Sequence, residues 1–185
     1  ERSPHLEIFK KKGIEALYLT DPLDDIVLSS LMRYDDKEIK SVDQANLESV
    51  KEIKKDEDKV DIEDKEKDSS FNEFSSFVKS TLGEKVKDVV KSYRLTDSPC
   101  ILVNADGTAS SHIQNVMKMM DKNYAVAPKI LELNADHAMV KNLVGIYQKA
   151  PQEEFLREAV LQLFETSMFH EGVVLDPKET VPRIF

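Results

Sequence analysis

Residues 153–170 read EEFLREAVLQLFETSMFH. The apolar side chains fall at helical spacing but spread over more than one narrow stripe: 156, 160 and 163 on one line, 155, 159, 164 and 168 on another. A helix apolar over that arc needs cover on two sides. One side is the domain's own core. The other suits a partner helix, which points to a symmetric dimer through a helical bundle, with full burial inside one domain as the alternative. Around this helix lie short apolar runs. Val86–Val90, Cys100–Val103 (CILV) and Ile130–Leu133 read as strands, set apart by turns at 96–99 (TDSP) and Asp106-Gly107. Further helices are expected from Ser69 or Ser70 to Leu82, from Ala109 to Asp121, and from Asn134-Ala135-Asp136 through Leu143. Asp176-Pro177 begins a last one. Residues 69–185 thus form one unit of mixed α and β structure.

Upstream the composition changes twice. Residues 50–68 are a charge run in which only Val50, Ile53, Val60 and Ile62 are apolar. So little apolar surface does not offset the entropy of ordering, so the run reads as a solvated linker or an exposed helix. Residues 1–49 alternate apolar segments with turn signals. Ser3-Pro4 opens a short helix that Gly13 closes. Ile14–Leu19 (IEALYL) reads as a buried strand. Asp21-Pro22 starts a helix carrying Leu23, Ile26, Val27 and Leu31, and Glu38–Val42 reads as another strand. This is a small α/β unit, and the whole chain falls in the α+β class.

The chain has 185 residues, with 26 Lys and Arg against 35 Asp and Glu, a formal charge of −9. A net acidic chain is a poor non-specific binder of nucleic acid. One cysteine, Cys100, makes no intrachain disulfide and no thiolate cage. No apolar run approaches the ~20 residues that span a bilayer. The expectation is a soluble protein of a reducing compartment, with neither nucleic-acid nor membrane partners. The opening Glu1-Arg2 without Met and the uncapped Ile184-Phe185 read as the ends of a piece of a longer protein.

No residue set specifies a reaction. His5, His112, His137 and His170 are scattered, and no two stand at i, i+4 around a carboxylate. Five isolated glycines make no phosphate loop. No GxSxG elbow is present. Cys100 sits in an apolar strand and reads as an inert thiol. The segment Ser111–Asp121 (SHIQNVMKMMD) is more informative. Ile113, Val116, Met117 and Met120 share one helical face. Dense, adaptable methionine suits a surface that accepts many apolar partners; the alternative is an ordinary core stripe.

Four segments occur in order: Ser3–Leu6 (SPHL), Lys12–Asp24 (KGIEALYLTDPLD), Tyr93–Cys100 (YRLTDSPC) and Glu132–His137 (ELNADH). Together they resemble the ninety-kilodalton heat-shock chaperone family, nearest its bacterial HtpG type. The resemblance covers nearly the whole chain, least well in the charge run. It implies that residues 1–49 end the family's middle domain, that 50–68 link, and that 69–185 are the C-terminal dimerisation domain. It further implies a cytoplasmic, homodimeric stress-response chaperone that binds unfolded client proteins. ATP and Mg would be bound by a domain upstream of Glu1, so no catalytic, cofactor or metal residue is expected in this chain. The family's client-binding helix falls on Ser111–Asp121, with contacts mapped to Ile113, Met117 and Met120. A middle-domain contact maps to Ile26, where the family's aromatic ring is missing. The dimer bundle maps to Phe155, Leu156, Val160, Leu163, Phe164 and Met168. Pro182 shortens or shifts the last helix. Two other classes fit the residues without the resemblance: an adaptor or scaffold domain, and a small enzyme whose site is assembled from distant positions.

Overall fold

The computed structural model describes residues 3–21, 23–44, 62–121, 124–173 and 177–183. A three-stranded sheet organises them, in the order β3 (Val86–Lys91), β5 (Lys129–Leu133), β4 (Cys100–Val103). The β3–β5 pair is parallel and the β4–β5 pair antiparallel, with Leu102 opposite Leu131 and Ile101 opposite Glu132. The CILV run is buried at all four positions because the sheet is covered on both faces. Period-two alternation sends Cys100 and Leu102 to one face, and Ile101 and Val103 to the other.

On the first face lie three helices: α3 (Ile62–Leu82), α5 (Ala138–Lys149) and α6 (Glu154–His170). Phe71, Phe74, Val78 and Leu82 of α3 meet Leu156, Val160, Leu163 and Phe164 of α6 in one core with Leu131 and Leu133. Phe74, Phe77 and Tyr147 form a ring cluster, with Phe77 and Tyr147 centroids 5.1 Å apart. The helix α3 begins by Ile62, well before the Ser69 or Ser70 start expected. The last seven residues of the charge run, 62–68, are thus helical; its earlier part, up to 61, lies outside the described residues. The α5 cap is His137 rather than Asp136: its Nδ1 accepts from Met139 N at 3.2 Å, and Asn134–Asp136 form the turn before it.

The second face is closed by the N-terminal segment. Leu6 and Ile8 are buried, Ile8 at the start of α1 (Glu7–Lys11). The Glu7 carboxylate accepts from the backbone N–H of Thr96 at 2.7 Å, Asp97 at 2.8 Å and Ser98 at 3.1 Å. Burial opposes that charge, but the hydrogen bonds from Ser98, Asp97 and Thr96 hold the carboxyl below its ordinary range. Arg94 is 2% exposed beneath the same segment. Its Nε donates to Glu132 Oε2 at 3.0 Å, and its terminal nitrogens donate to the carbonyls of Val42 and Gln44. Ser92 Oγ donates to the same Glu132 oxygen at 2.8 Å.

Two expected strands differ. Ile14–Leu19 forms no strand, with Leu17 80% exposed; an apolar run becomes a strand only beside a strand edge, and none pairs with it among the described residues. Glu38–Val42 contributes only Glu38, in a two-residue hairpin of β1 (Arg33–Tyr34) and β2 (Lys37–Glu38). Asp35 and Asp36 take positive φ of 48° and 60°, the geometry of a tight hairpin turn. Of the last helix, Pro177–Thr180 is α-helical (α7) and Val181–Arg183 is a 3₁₀ turn, which accommodates Pro182; Asp176 and Pro22 lie outside the described residues.

Arg94→Met should leave Glu132 charged and buried with only Ser92 beside it, at a cost of about 3–5 kcal/mol in urea unfolding. Arg94→Met with Glu132→Leu should recover most of that loss, because it removes both charges.

Candidate functional surface

The helix α4 (Ser111–Met120) is held by its N-terminus. Ser110 is the cap, accepting from Ile113 N at 3.3 Å, and its hydroxyl donates to Asp25 of α2 (Asp24–Leu31). Asp21 Oδ1 accepts from Leu23 N at 2.8 Å and Asp24 Oδ2 from Asp21 N at 3.0 Å, which fixes the start of α2. The Ser110–Asp25 bond therefore joins the capped start of α4 to the first turn of α2.

The inner face of α4 is polar. Ser111 N donates to Asp43 Oδ2 at 3.1 Å. Asn104 Nδ2 donates to the same oxygen at 2.7 Å and to Ser111 Oγ at 3.0 Å. Gln114, 3% exposed, donates from Nε2 to Asn104 Oδ1 at 3.2 Å and to Ala109 O at 2.7 Å. Lys129 Nζ donates to Ser111 Oγ at 2.8 Å and to Glu171 Oε2. His5 Nε2 lies 3.1 Å from the other Glu171 oxygen. Glu171 is placed by the end of α6: Gly172 takes φ 72°, Val173 N donates to Met168 O and Gly172 N to Phe169 O, both at 3.0 Å, a Schellman cap. Burial disfavours the Glu171 charge, but hydrogen bonds from His5 and Lys129, and the Lys129 charge, bring its carboxyl down to about 2.

With its polar side turned in, α4 turns its apolar stripe out. Met120 is 80% exposed, Met117 and Val116 are also exposed, and Ile113 is half-buried. The stripe is thus not an ordinary core stripe. Met119, off that face, is exposed as well. On the adjoining α2, no residue is buried, and Leu23, Ile26, Val27 and Leu31 are all exposed. Ile26 therefore belongs to a helix that touches α4 through Asp25. Leu17, Tyr18 and Leu19 are exposed too, where sequence reasoning assigned 14–19 to a buried strand.

The six residues mapped to a dimer bundle divide. Leu156, Val160, Leu163 and Phe164 fill the core described above and have no surface left for a partner. Met168 is half-buried against that core, and Phe155 is exposed. The outward line of α6 is instead Phe155, Gln162, Thr166 and Phe169.

Elsewhere, His112 and His170 are exposed. Among the described residues no three His, Cys, Asp or Glu side chains are placed to hold a metal ion. Among them, too, no helix is long and apolar enough to cross a membrane. Cys100 is buried beside Ser167 Oγ at 3.2 Å; burial pushes its thiol up to about 11 despite that hydrogen bond.

The family profile described as Hsp90 protein matches residues 1–184. The chain belongs to that family. It is 35% identical over 184 residues to the Chaperone protein HtpG of Oleidesulfovibrio alaskensis, covering 98% of this chain and 29% of that protein. It is 35% identical over 178 residues to that of Geobacter sulfurreducens, covering 96% and 27%, and 34% identical over 186 residues to that of Desulfitobacterium hafniense, covering 100% and 29%. The chain thus spans less than a third of the length of these relatives.

Glu171 is ionised far below the ordinary carboxylate range only when folded. Its contribution, about 3 kcal/mol for a drop from 4.5 to about 2, is present above pH 4.5 and lost as pH falls through about 2. Glu171→Gln should flatten the loss of urea stability between pH 5 and pH 2. An unchanged acid slope in the variant would show that the His5–Glu171–Lys129 cluster is not formed.

Proposed function

We propose that this chain is the client-binding and dimerising part of an ATP-driven chaperone of the Hsp90 family. Residues 1–49 end its middle domain, 50–68 link, and 69–185 form its C-terminal dimerisation domain. The observation that carries the reading is the outward apolar stripe of α4. A helix with its polar face inward and its methionines in water has a surface made for another chain. Methionine adapts to partners of different shape, which suits clients defined only by exposed apolar surface. Ile113, Met117 and Met120 make that contact in this reading, and Ile26 extends it along α2.

The dimer forms along the exposed line of α6 from Phe155 to Phe169, with the buried positions Leu156, Val160, Leu163 and Phe164 stiffening the helix from behind. Dimerisation would hold two ATPase arms at high effective concentration. Nucleotide and Mg belong, in this reading, to another part of the full-length protein; the residues here supply no step of hydrolysis. Homology to chaperones named HtpG supports a protein of the cytoplasm that works on unfolded proteins.

Each methionine that a client buries is worth about 1.5–3 kcal/mol. Met117→Glu with Met120→Glu should therefore weaken suppression of client aggregation by about tenfold or more, with stability unchanged within about 0.5 kcal/mol because both side chains are exposed. Unaltered suppression would remove α4 from the client surface. In sedimentation, the parent chain should be dimeric at micromolar concentration and Phe155→Glu with Phe169→Glu should shift it to monomer. A monomeric parent under those conditions would count against the dimer.

A further inference from the structure

A cavity of about 260 Å³ is lined by both α4 and α6. Phe164 and Met168 of α6, Leu102 of β4, and Val126 and Pro128 of the irregular segment before β5 give it an apolar wall. An apolar cavity of about 150 Å³ already takes up benzene, so this one has room for a body of one or two fused rings. Val126 is 39% exposed and Pro128 is exposed as well, so the apolar wall reaches the open side. The two part-buried charges of the lining, Lys129 and Glu171, pair with each other and both bond to Ser111. They are matched already and ask nothing of an occupant.

The remaining charged residues of the lining are Glu84, Lys85 and Lys118, all exposed. None of the three side chains has a hydrogen bond or ion pair among the described residues. Other lysines nearby in sequence do: Lys79 donates to the carbonyls of Gly83 and Val86, and Lys91 pairs with Asp68 at 2.8 Å. The helix period sets Lys118 against the cavity. Ser111, Gln114, Asn115 and Lys118 recur every three or four residues and line it together, on the side of α4 opposite the stripe of Ile113, Met117 and Met120. Lys85 comes from the 3₁₀ turn Gly83–Lys85 that joins α3 to β3. Two elements thus bring two unmatched ammonium groups to one apolar cavity, against one unmatched carboxylate.

We infer that this cavity is a binding site for a small amphiphilic anion, an apolar body of one or two rings carrying a single carboxylate. Apolar walls with a few placed polar groups are the ordinary make-up of small-molecule sites. The ring body lies against Phe164, Met168, Val126 and Pro128. The carboxylate stays at the exposed opening, where Lys85 and Lys118 stand, so it keeps part of its water and no charge is buried. Lysine ammonium groups on flexible stems meet it there without any movement of the backbone. Exposed ion pairs are weak, so the lysines select the sign of the ligand, while most of its affinity comes from the ring body.

The probe is 2-naphthoate, with 2-naphthamide as the same rings without the charge. In the intact chain, ¹³C-labelled at its methionine methyls, 2-naphthoate at low salt should shift the Met168 methyl saturably. Met117 and Met120, on the other side of α4, should not move. The amide should bind about two- to fivefold more weakly than the acid, and about 1 M salt should erase most of that preference. Lys85→Gln with Lys118→Gln should abolish the preference while leaving amide binding and thermal stability unchanged, because both lysines are exposed. No saturable Met168 shift at millimolar probe, a shift of Met117 or Met120 in its place, equal affinity for the two probes, or a preference that survives loss of both lysines would each overturn the site.

Discussion

The pairing of Arg94 with Glu132 is the constraint on which the arrangement depends. Both side chains lie between the sheet and the N-terminal segment, with side-chain exposures of 2% and 6%. A guanidinium has five donors and no acceptor, so burying it is feasible only where several oxygens converge. Here one comes from the neighbouring strand and two from the carbonyls of Val42 and Gln44. Those carbonyls belong to the segment that closes the second sheet face. The charge pair thus sets where residues 41–44 lie, and with them Asp43. Asp43 in turn accepts from Ser111 N and Asn104, which seats α4. The position of the exposed methionines traces back, through Asp43 and the buried Asn104, to one arginine.

The segments that carry the family resemblance are explained by this frame more than by a site. YRLTDSPC supplies Arg94, the turn at 96–98 that binds Glu7, and the first position of β4. ELNADH supplies Glu132, then Asn134, whose backbone N–H donates to Pro99 O at 2.9 Å and whose Nδ2 donates to Ser98 O at 3.0 Å. The two segments therefore bind each other across the sheet. In KGIE, Gly13 at φ 66° ends α1 with Ile14 N donating to Phe9 O at 2.8 Å, the same cap geometry as at Gly172. Such residues are constrained because each has several partners to satisfy at once.

Local signals made much of this legible. CILV, the turns at 96–99 and 106–107 and the long α6 all follow from periodicity and punctuation acting within a few residues, while α4 begins at Ser111, two residues after the Ala109 expected, because Ser110 caps it. The misreadings arise where a distant partner decides. IEALYL has the composition of a strand but no edge to join. His137 caps α5 because its ring nitrogen reaches Met139 N, which no preference for Asp foresees. Which positions of α6 are buried is decided by α3, which packs over Leu156, Val160, Leu163 and Phe164, and no local signal names that cover. The polar cluster of His5, Lys129, Glu171 and Ser111 joins four separate parts of the chain, and no spacing rule connects them.

The orientation of α4 could not be inferred from amphipathicity, since the same stripe suits a core or a surface. What decides it is polar satisfaction. If the helix turned its methionines inward, Ser111 and Gln114 would leave Asp43, Asn104 and Lys129 without their present partners, and each lost bond in a buried site costs about 1–3 kcal/mol. Burying the stripe would regain less than the full ~1.5–3 kcal/mol per side chain, because Ile113 is already half-buried and Val116 and Met117 are only 37% and 45% exposed. The fold therefore holds its apolar face in water by a polar network on the opposite side. A surface held open in this way remains available to a partner without first unfolding.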